Sequence, residues 1–520
     1  QAQQSGLYFS HRELFQHSTI SQLASIAKTQ ANTQAQQGPI AGAVPLTPIQ
    51  HWFFGQHLTA PLHWNQSVLF TVNQALQPAI LEQALQQLMH HHDALRATFH
   101  QTEKGWSQVY GEPVDAVPLQ VIQRTTENAP HVITTEAEAA QSGFDLANGP
   151  LLKVIYYDLK TPQGAERRLL IVCHHLVIDG LSWRILLGDL QLLYKQHSES
   201  AHQSVSLAKH AHLPPKTTAC LDWVKQLNPA DFIAEQSYWE EITTTEAAQI
   251  PQDFLVGLNT MASADTISVS LDAQATEQLL REIPTAYSAR TDDILLTALL
   301  LTFASDTDEQ PPLRISLEGH GRPEAQDLSR TVGWLTALYP VLLSLPSTTD
   351  LGAAIKSVKE TLRAIPNQGL GYGVLRYLKP IKQPIEQPTS SESFLAAETP
   401  IRFNYLGQTD QLFTSESWLA PAIESTGVSR SPQSLRDILL EVNAVVSRGQ
   451  LTFHWTYSKA RHKTGTVSNW ANQYIHHLRG LIQHCLSTET DSGYSPADFP
   501  QMDLAQDELD DLLASIEGEG

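Results

Sequence analysis

Leu169-Leu170-Ile171-Val172-Cys173-His174-His175-Leu176-Val177-Ile178-Asp179-Gly180 is an apolar run that ends in two histidines, an acid and a glycine. A short continuous apolar run bounded by polar residues predicts a strand buried on both faces. Side chains alternate along a strand, so His174 and His175 point in opposite directions and only one of them can face a cavity. A histidine at a strand end suits proton transfer, because an unperturbed pKa of about 6.5 lets either form be populated near neutrality. The competing reading is a hydrogen-bonded core histidine. Asp179 reads as the partner of an arginine that fixes the loop, and Gly180 as the residue permitting the turn into a helix that begins near Ser182.

Outward from this strand, extended and helical patterns alternate. Strands are predicted at 66–72, 151–157 and 167–173, and helices at 79–91 and 182–195; the second half repeats the style with strands at 266–271, 313–317, 401–405 and 451–457 and helices at 292–303 and 466–485. The pattern is α/β. Leu213-Pro214-Pro215 interrupts it, which divides the body into a first lobe, 45–212, and a second, 213–490. Before them, residues 1–27 hold apolar positions at helical spacing (Leu14, Phe15, Ile20, Leu23, Ile26, Ala27) and 28–44 have the composition of a solvated tether. After them, 491–520 form an acidic linker in which 507–516 read as a short helix.

Length and composition agree with two lobes: 520 residues, 42% of them hydrophobic, exceed what one small core needs. The formal charge of −21 argues against nucleic acid and anionic lipid as partners. Three widely spaced cysteines, Cys173, Cys220 and Cys485, without any C-x-x-C pair, fit a reducing cytoplasm. No apolar run approaches the roughly 18 residues of a membrane-spanning helix. His90-His91-His92 does not read as a metal site, since three consecutive helical residues point in three directions.

His174-His175-x-x-x-Asp179-Gly180 resembles the signature of the condensation superfamily of nonribosomal peptide synthetases, which is related in fold to chloramphenicol acetyltransferase. Further segments resemble the epimerization branch of that superfamily: Pro48 to Phe53, Trp183 to Leu186, Glu318-Gly319-His320-Gly321-Arg322, Arg330 to Trp334, Tyr339-Pro340-Val341, Pro366 to Gly373 and Phe403 to Gln408. One departure is Leu335, where the family commonly has an aromatic; a packing adjustment is expected there. The resemblance implies two chloramphenicol acetyltransferase-like lobes in a V-shaped pseudo-dimer around a central tunnel. It implies an isomerase without a cofactor of its own, whose substrate arrives on the 4'-phosphopantetheine of a carrier protein. Residues 1–27 resemble the last helices of such a carrier. The implied partners are the upstream carrier and adenylation domain and a downstream condensation domain. Two other readings remain open: a condensation domain that uses the same His175, and a silent docking module.

Stereoinversion removes a proton from one face of Cα and delivers one to the other, so two groups on opposite sides are the economical arrangement. The resemblance puts His175 and Glu318 in these roles. Glu318 ends an apolar strand, where desolvation makes it a better base, or alternatively it pairs with Arg322. His175 either shuttles the second proton or, when protonated, holds the enolate oxygen. Tyr405 offers a hydroxyl to an enolate or packs in a core; Asn404, its strand neighbour, faces the other side. Tyr372 falls in a glycine-rich segment, 369–373, read as a mobile or tightly turned loop near a channel without a clear helix start behind it.

Overall fold

The computed structural model describes residues 19–26, 35–202, 212–283, 287–304, 311–323, 326–378, 395–408, 417–487 and 494–499, with positions 502, 506, 508, 509, 511 and 512. The first N-terminal helix and most of the predicted 507–516 helix lie outside the described residues. The second N-terminal helix is present as Ile20–Ile26.

In the first half the strands are β1 (Gly42–Val44), β2 (Asn65–Val72), β3 (Ala97–Thr102), β4 (Gly105–Tyr110), β5 (Leu119–Thr125), β6 (Leu152–Thr161) and β7 (Gly164–His174). In the second half they are β8 (Ala264–Ser270), β9 (Leu313–Gly319), β10 (Ala337–Leu343), β11 (Ile401–Gln408), β12 (Leu419–Pro421), β13 (Leu440–Ser447) and β14 (Gln450–Ser458). They build a five-stranded sheet ordered β12-β2-β7-β6-β5, a six-stranded sheet ordered β10-β9-β11-β13-β14-β8 and a small sheet ordered β1-β4-β3.

The opening stretch is the central strand β7, paired antiparallel with β2 and β6. It is buried on both faces, as its unbroken apolar run requires. Leu170 and Val172 enter one core with Phe53 and Tyr157, whereas Leu169, Ile171 and Cys173 enter another with Leu81 and Leu190. Each such Leu, Ile or Val stabilises the fold by about 1.5–3 kcal/mol. The helix after the histidines, Gly180–His202, then packs on Pro78–His91 over the second of these cores.

In the six-stranded sheet, β11 runs parallel to both β9 and β13, and the other pairings are antiparallel. The helices Thr291–Thr302 and Thr464–Ser487 cover one face, where Ile315, Phe403, Val442 and Trp455 form the core. The alternate side chains on the opposite face, among them Ser316, Glu318, Arg402 and Asn404, belong to the candidate site.

A boundary at 212/213 divides the chain but not the sheets. Strand β12, from the second half, pairs with β2 of the first lobe; Ala422 N–H donates to Leu69 O at 3.0 Å, and Arg168 pairs with Glu424 at 2.7 Å. Trp334 and Val332 are likewise buried in first-lobe cores. The lobes are stitched together by segments that the second half lends to the first. Among the described residues, no helix is long and apolar enough to cross a membrane.

Candidate active site

His174 ends β7 facing the first core, fully buried against Phe53 and Phe144. Its Nε2–H donates to Pro61 O at 2.8 Å, and its Nδ1 accepts from Leu176 N–H at 3.2 Å. Both ring nitrogens are thereby satisfied, so His174 is a structural residue. His175 turns the other way, as alternation requires. Its Nδ1 lies 2.8 Å from Ile178 O, and a carbonyl can only accept, so Nδ1 carries the proton and Nε2 presents a lone pair. The Gln66 amide donates to that lone pair at 2.8 Å. The amide is itself oriented by Trp183, whose indole N–H donates to Gln66 Oε1 at 2.7 Å. Desolvation lowers the pKa of His175 to about 4 and that of His174 to about 3, so both rings are neutral at pH 7.

Below pH 6.5 the unfolded chain protonates these rings, whereas the fold resists until pH 3–4. Their contribution is therefore complete above pH 6.5 and is lost as pH falls towards 4. Glu318, whose folded pKa is raised, acts in the opposite sense. We expect the urea midpoint at pH 5 to lie below that at pH 7; a midpoint that rises or stays constant would mean charged histidines in the native state.

The turn after His175 is held from below and from across the lobes. Gln50, in the helix Pro48–Gly55, donates to Leu176 O at 2.9 Å. Asp179 forms a two-pronged ion pair with Arg322, at 2.9 and 3.0 Å, and also accepts from Ser182 N–H and Leu335 N–H. Ser182 Oγ donates to Gly333 O and accepts from Gly333 N–H. These bonds fix the 333–335 segment, so that the Trp334 ring lies against His175 with centroids 4.1 Å apart. Arg322 thus goes to Asp179 and not to Glu318. Gly321 is needed for this approach: it adopts φ 63°, and a Cβ there would lie 1.6 Å from Leu335 O. Leu335 itself is buried among Cys220, Trp223 and Val374.

Glu318 lies on β9, opposite Leu338 of β10 on one side, and one residue beyond the last β11 pairing, Phe403 with Leu317, on the other. Asn404 Nδ2 donates to its Oε2 at 3.1 Å, and Arg402 Nε stands 4.0 Å from its Oε1. Desolvation raises its pKa, opposed by Arg402 and by Arg430. Arg430 stacks over Trp64, 4.1 Å from its ring centre, and its positive charge acts on His175 as well as on Glu318. A second link runs from His175 through Trp334 to Trp52, with 6.2 Å between indole centroids, then to Arg402, 5.4 Å from the Trp52 ring, and so to Glu318. The carboxyl and the imidazole are therefore the two ends of one chain of aromatic and cationic side chains between the lobes.

Three expectations require correction. Tyr405 shares the helix-covered face of β11 with Phe403 and packs on the second-lobe core, with burial pushing its hydroxyl up to about 12. Strand alternation thus turns it away from Glu318, and no role at the reacting carbon follows. Tyr372 does not lie in a loop: a helix, Leu370–Tyr377, starts directly after Gly369, which adopts φ 82° with its Cα hydrogen against the Tyr339 ring. The Tyr372 hydroxyl donates to Leu395 O and accepts from Arg376. Gly180 is not the residue that makes the turn; it is the first residue of its helix, outside the left-handed region, and a Cβ there would meet open space. Gln66, Trp52, Trp64, Arg402 and Arg430 complete the site without having been singled out for it. An arginine inside the apolar alternation of 401–405 was a usable signal; Arg430, in a loop, carried none.

The condensation-domain family matches residues 40–502. A linear gramicidin synthase of Brevibacillus parabrevis is 38% identical over 520 residues, covering 98% of this chain but only 10% of that protein. The crystal structure of the epimerization domain from the third module of tyrocidine synthetase B superposes with a TM-score of 0.76 at 34% identity, covering 87% of this chain and 100% of that one. The condensation domain of the Monacolin K polyketide synthase shares the fold alone, with a TM-score of 0.64 at 14% identity over 86% of this chain and 98% of that one. With a family match that spans most of its length and the histidine turn built as described, this chain belongs to the condensation-domain family.

Proposed function

We propose that this domain inverts the α-carbon of an aminoacyl or peptidyl thioester presented on the phosphopantetheine arm of a carrier protein. The observation that carries the reading is the desolvated Glu318 carboxyl, bonded by Asn404 and linked through Arg402, Trp52 and Trp334 to the neutral ring of His175. The 34% identity to an epimerization domain over that domain's whole length supports the same reading.

In this mechanism one of the two groups, in its basic form, takes the Cα proton, the electron pair moves into the thioester carbonyl as an enolate, and the other group, having first taken a proton from solvent, returns it to the opposite face while the carbonyl re-forms. Burial suits Glu318 to this, since an elevated pKa narrows the gap to the weakly acidic carbon. His175 enters with an available lone pair once the substrate displaces the Gln66 contact. Arg430 supplies positive charge where the enolate develops.

A carrier loaded with an L-aminoacyl phosphopantetheine, mixed with the domain in deuterated water, should give D-product with one deuterium at Cα. Peptide-bond formation with a second loaded carrier and no deuterium uptake would instead make it a condensation catalyst. Neither product would leave a docking module.

A further inference from the structure

Beside Glu318 a cavity of about 800 Å³ opens between the helix Pro48–Gly55 and the Glu318-bearing face of the six-stranded sheet. In a chain of net charge −21 its wall carries five arginines, Arg314, Arg376, Arg402, Arg436 and Arg461, against Glu398 and Asp437, with Glu318 and Glu441 also acting on Arg402 and Glu441 on Arg436. Some of these guanidinium groups are occupied. Arg376 donates to the Tyr372 hydroxyl, and Arg314 to Ile242 O and Thr245 O.

The other three are not fully satisfied. Arg402 donates through Nη2 to Asp437, Arg436 through Nη2 to Thr456 O and Arg461 through Nη1 to Leu255 O. Arg402 Nε, Arg436 Nη1 and Arg461 Nε are buried without a hydrogen-bond partner. Arg402 and Arg436 are only 4% and 6% exposed. What the wall presents to the cavity is guanidinium charge, and a carboxylate that accepts from two arginines is the group whose geometry fits it best.

Resting on the epimerase reading, we infer that this cavity is a subsite for a carboxylate on the acyl group, so that the preferred substrates carry an acidic side chain at or next to the inverted carbon. The position decides for the acyl group and against the carrier's phosphate. Arg402 is 4.0 Å from Glu318, and a group bound there lies one side chain from the reacting carbon, whereas the phosphate lies a whole pantetheine arm away.

Isosteric pairs test it. Deuterium uptake from L-aspartyl and L-glutamyl pantetheine thioesters should exceed that from L-asparaginyl and L-glutaminyl ones at least tenfold in kcat/KM. Arg436→Gln should bring the ratio to within about twofold of one, and Arg436→Lys should retain part of it. Arg461→Gln, at a less buried position, tests the same wall if Arg436→Gln fails to fold by circular dichroism. Equal rates for acid and amide in the wild-type domain, or a ratio unchanged in the folded arginine variants, overturn the inference while leaving stereoinversion standing.

A second arm needs no turnover. Trp52 and Trp223 line the cavity, so glutarate should quench tryptophan fluorescence with at least tenfold tighter binding to the wild-type domain than to the arginine variant. Glutarate binding with this difference, but no exchange at Cα for any substrate, would keep the carboxylate subsite and sink the epimerase reading. Tighter binding of inorganic phosphate than of glutarate would overturn the subsite as one for a carboxylate.

Discussion

Glu318→Gln is expected to lower the rate of Cα deuterium uptake by about 10³-fold, because general acid–base groups typically supply 10²–10⁴. Glutamine keeps the shape of the side chain and an oxygen that can accept from Asn404, but has no lone pair basic enough to take the proton. The architecture should survive the exchange: Arg402, the nearest cation, retains its 2.7 Å bond to Asp437. The melting temperature should therefore stay close to that of the wild type while kcat collapses, and residual activity should lose its acid limb. In the wild-type protein that limb is expected to report Glu318, whose pKa is raised by desolvation and whose carboxyl would be protonated and idle at acid pH. A Glu318→Gln protein that exchanges at the wild-type rate would remove the carboxylate from the chemistry and leave His175 as the only candidate acid–base group.

How much of this was legible in the sequence follows from which signals are local. The strand 169–173 announced itself because a central strand buried on both faces needs an unbroken apolar run, and the strands and helices anticipated between 66 and 485 are present, the helix after the histidines running on to His202. Strand β10 was harder to see because Pro340 interrupts it; proline is tolerated there because β10 is the edge of its sheet. Strand β13, Leu440 to Ser447, alternates cleanly between buried and half-buried positions and was readable in principle.

Alternation separated Asn404 from Tyr405 but could not say which face looked at Glu318, since that depends on where the covering helices Thr291–Thr302 and Thr464–Ser487 pack. The same limit hid Gln66 and Arg430. Gln66 matters because β2 lies beside β7, and Arg430 because the segment after β12 crosses to the first lobe to meet Trp64. Both are consequences of non-local pairing, which no window of residues contains.

Asp179→Ala should lower the free energy of unfolding by about 3–5 kcal/mol, the usual cost of removing one member of a buried ion pair and stranding the other. The pair is well buried: the side chains of Arg322 and Asp179 are 6% and 3% exposed. It also joins the lobes, so its loss acts on their mutual fit as well as on local packing. Urea denaturation reads the effect directly. Arg322→Ala should give a loss of the same order, and the double variant should lose clearly less than the sum of the two, because each single change strands a charge that the double change removes. Additive losses would mean that the two residues do not depend on each other. The same substitution should also reduce turnover, since Asp179 holds Leu335 N–H and thereby the segment that rests Trp334 on His175. That second effect separates a clamp that positions the site from one that merely stabilises the fold. If the Asp179→Ala protein, kept folded by low temperature, turns over as fast as the wild type, the contact with Trp334 contributes nothing to the alignment of His175.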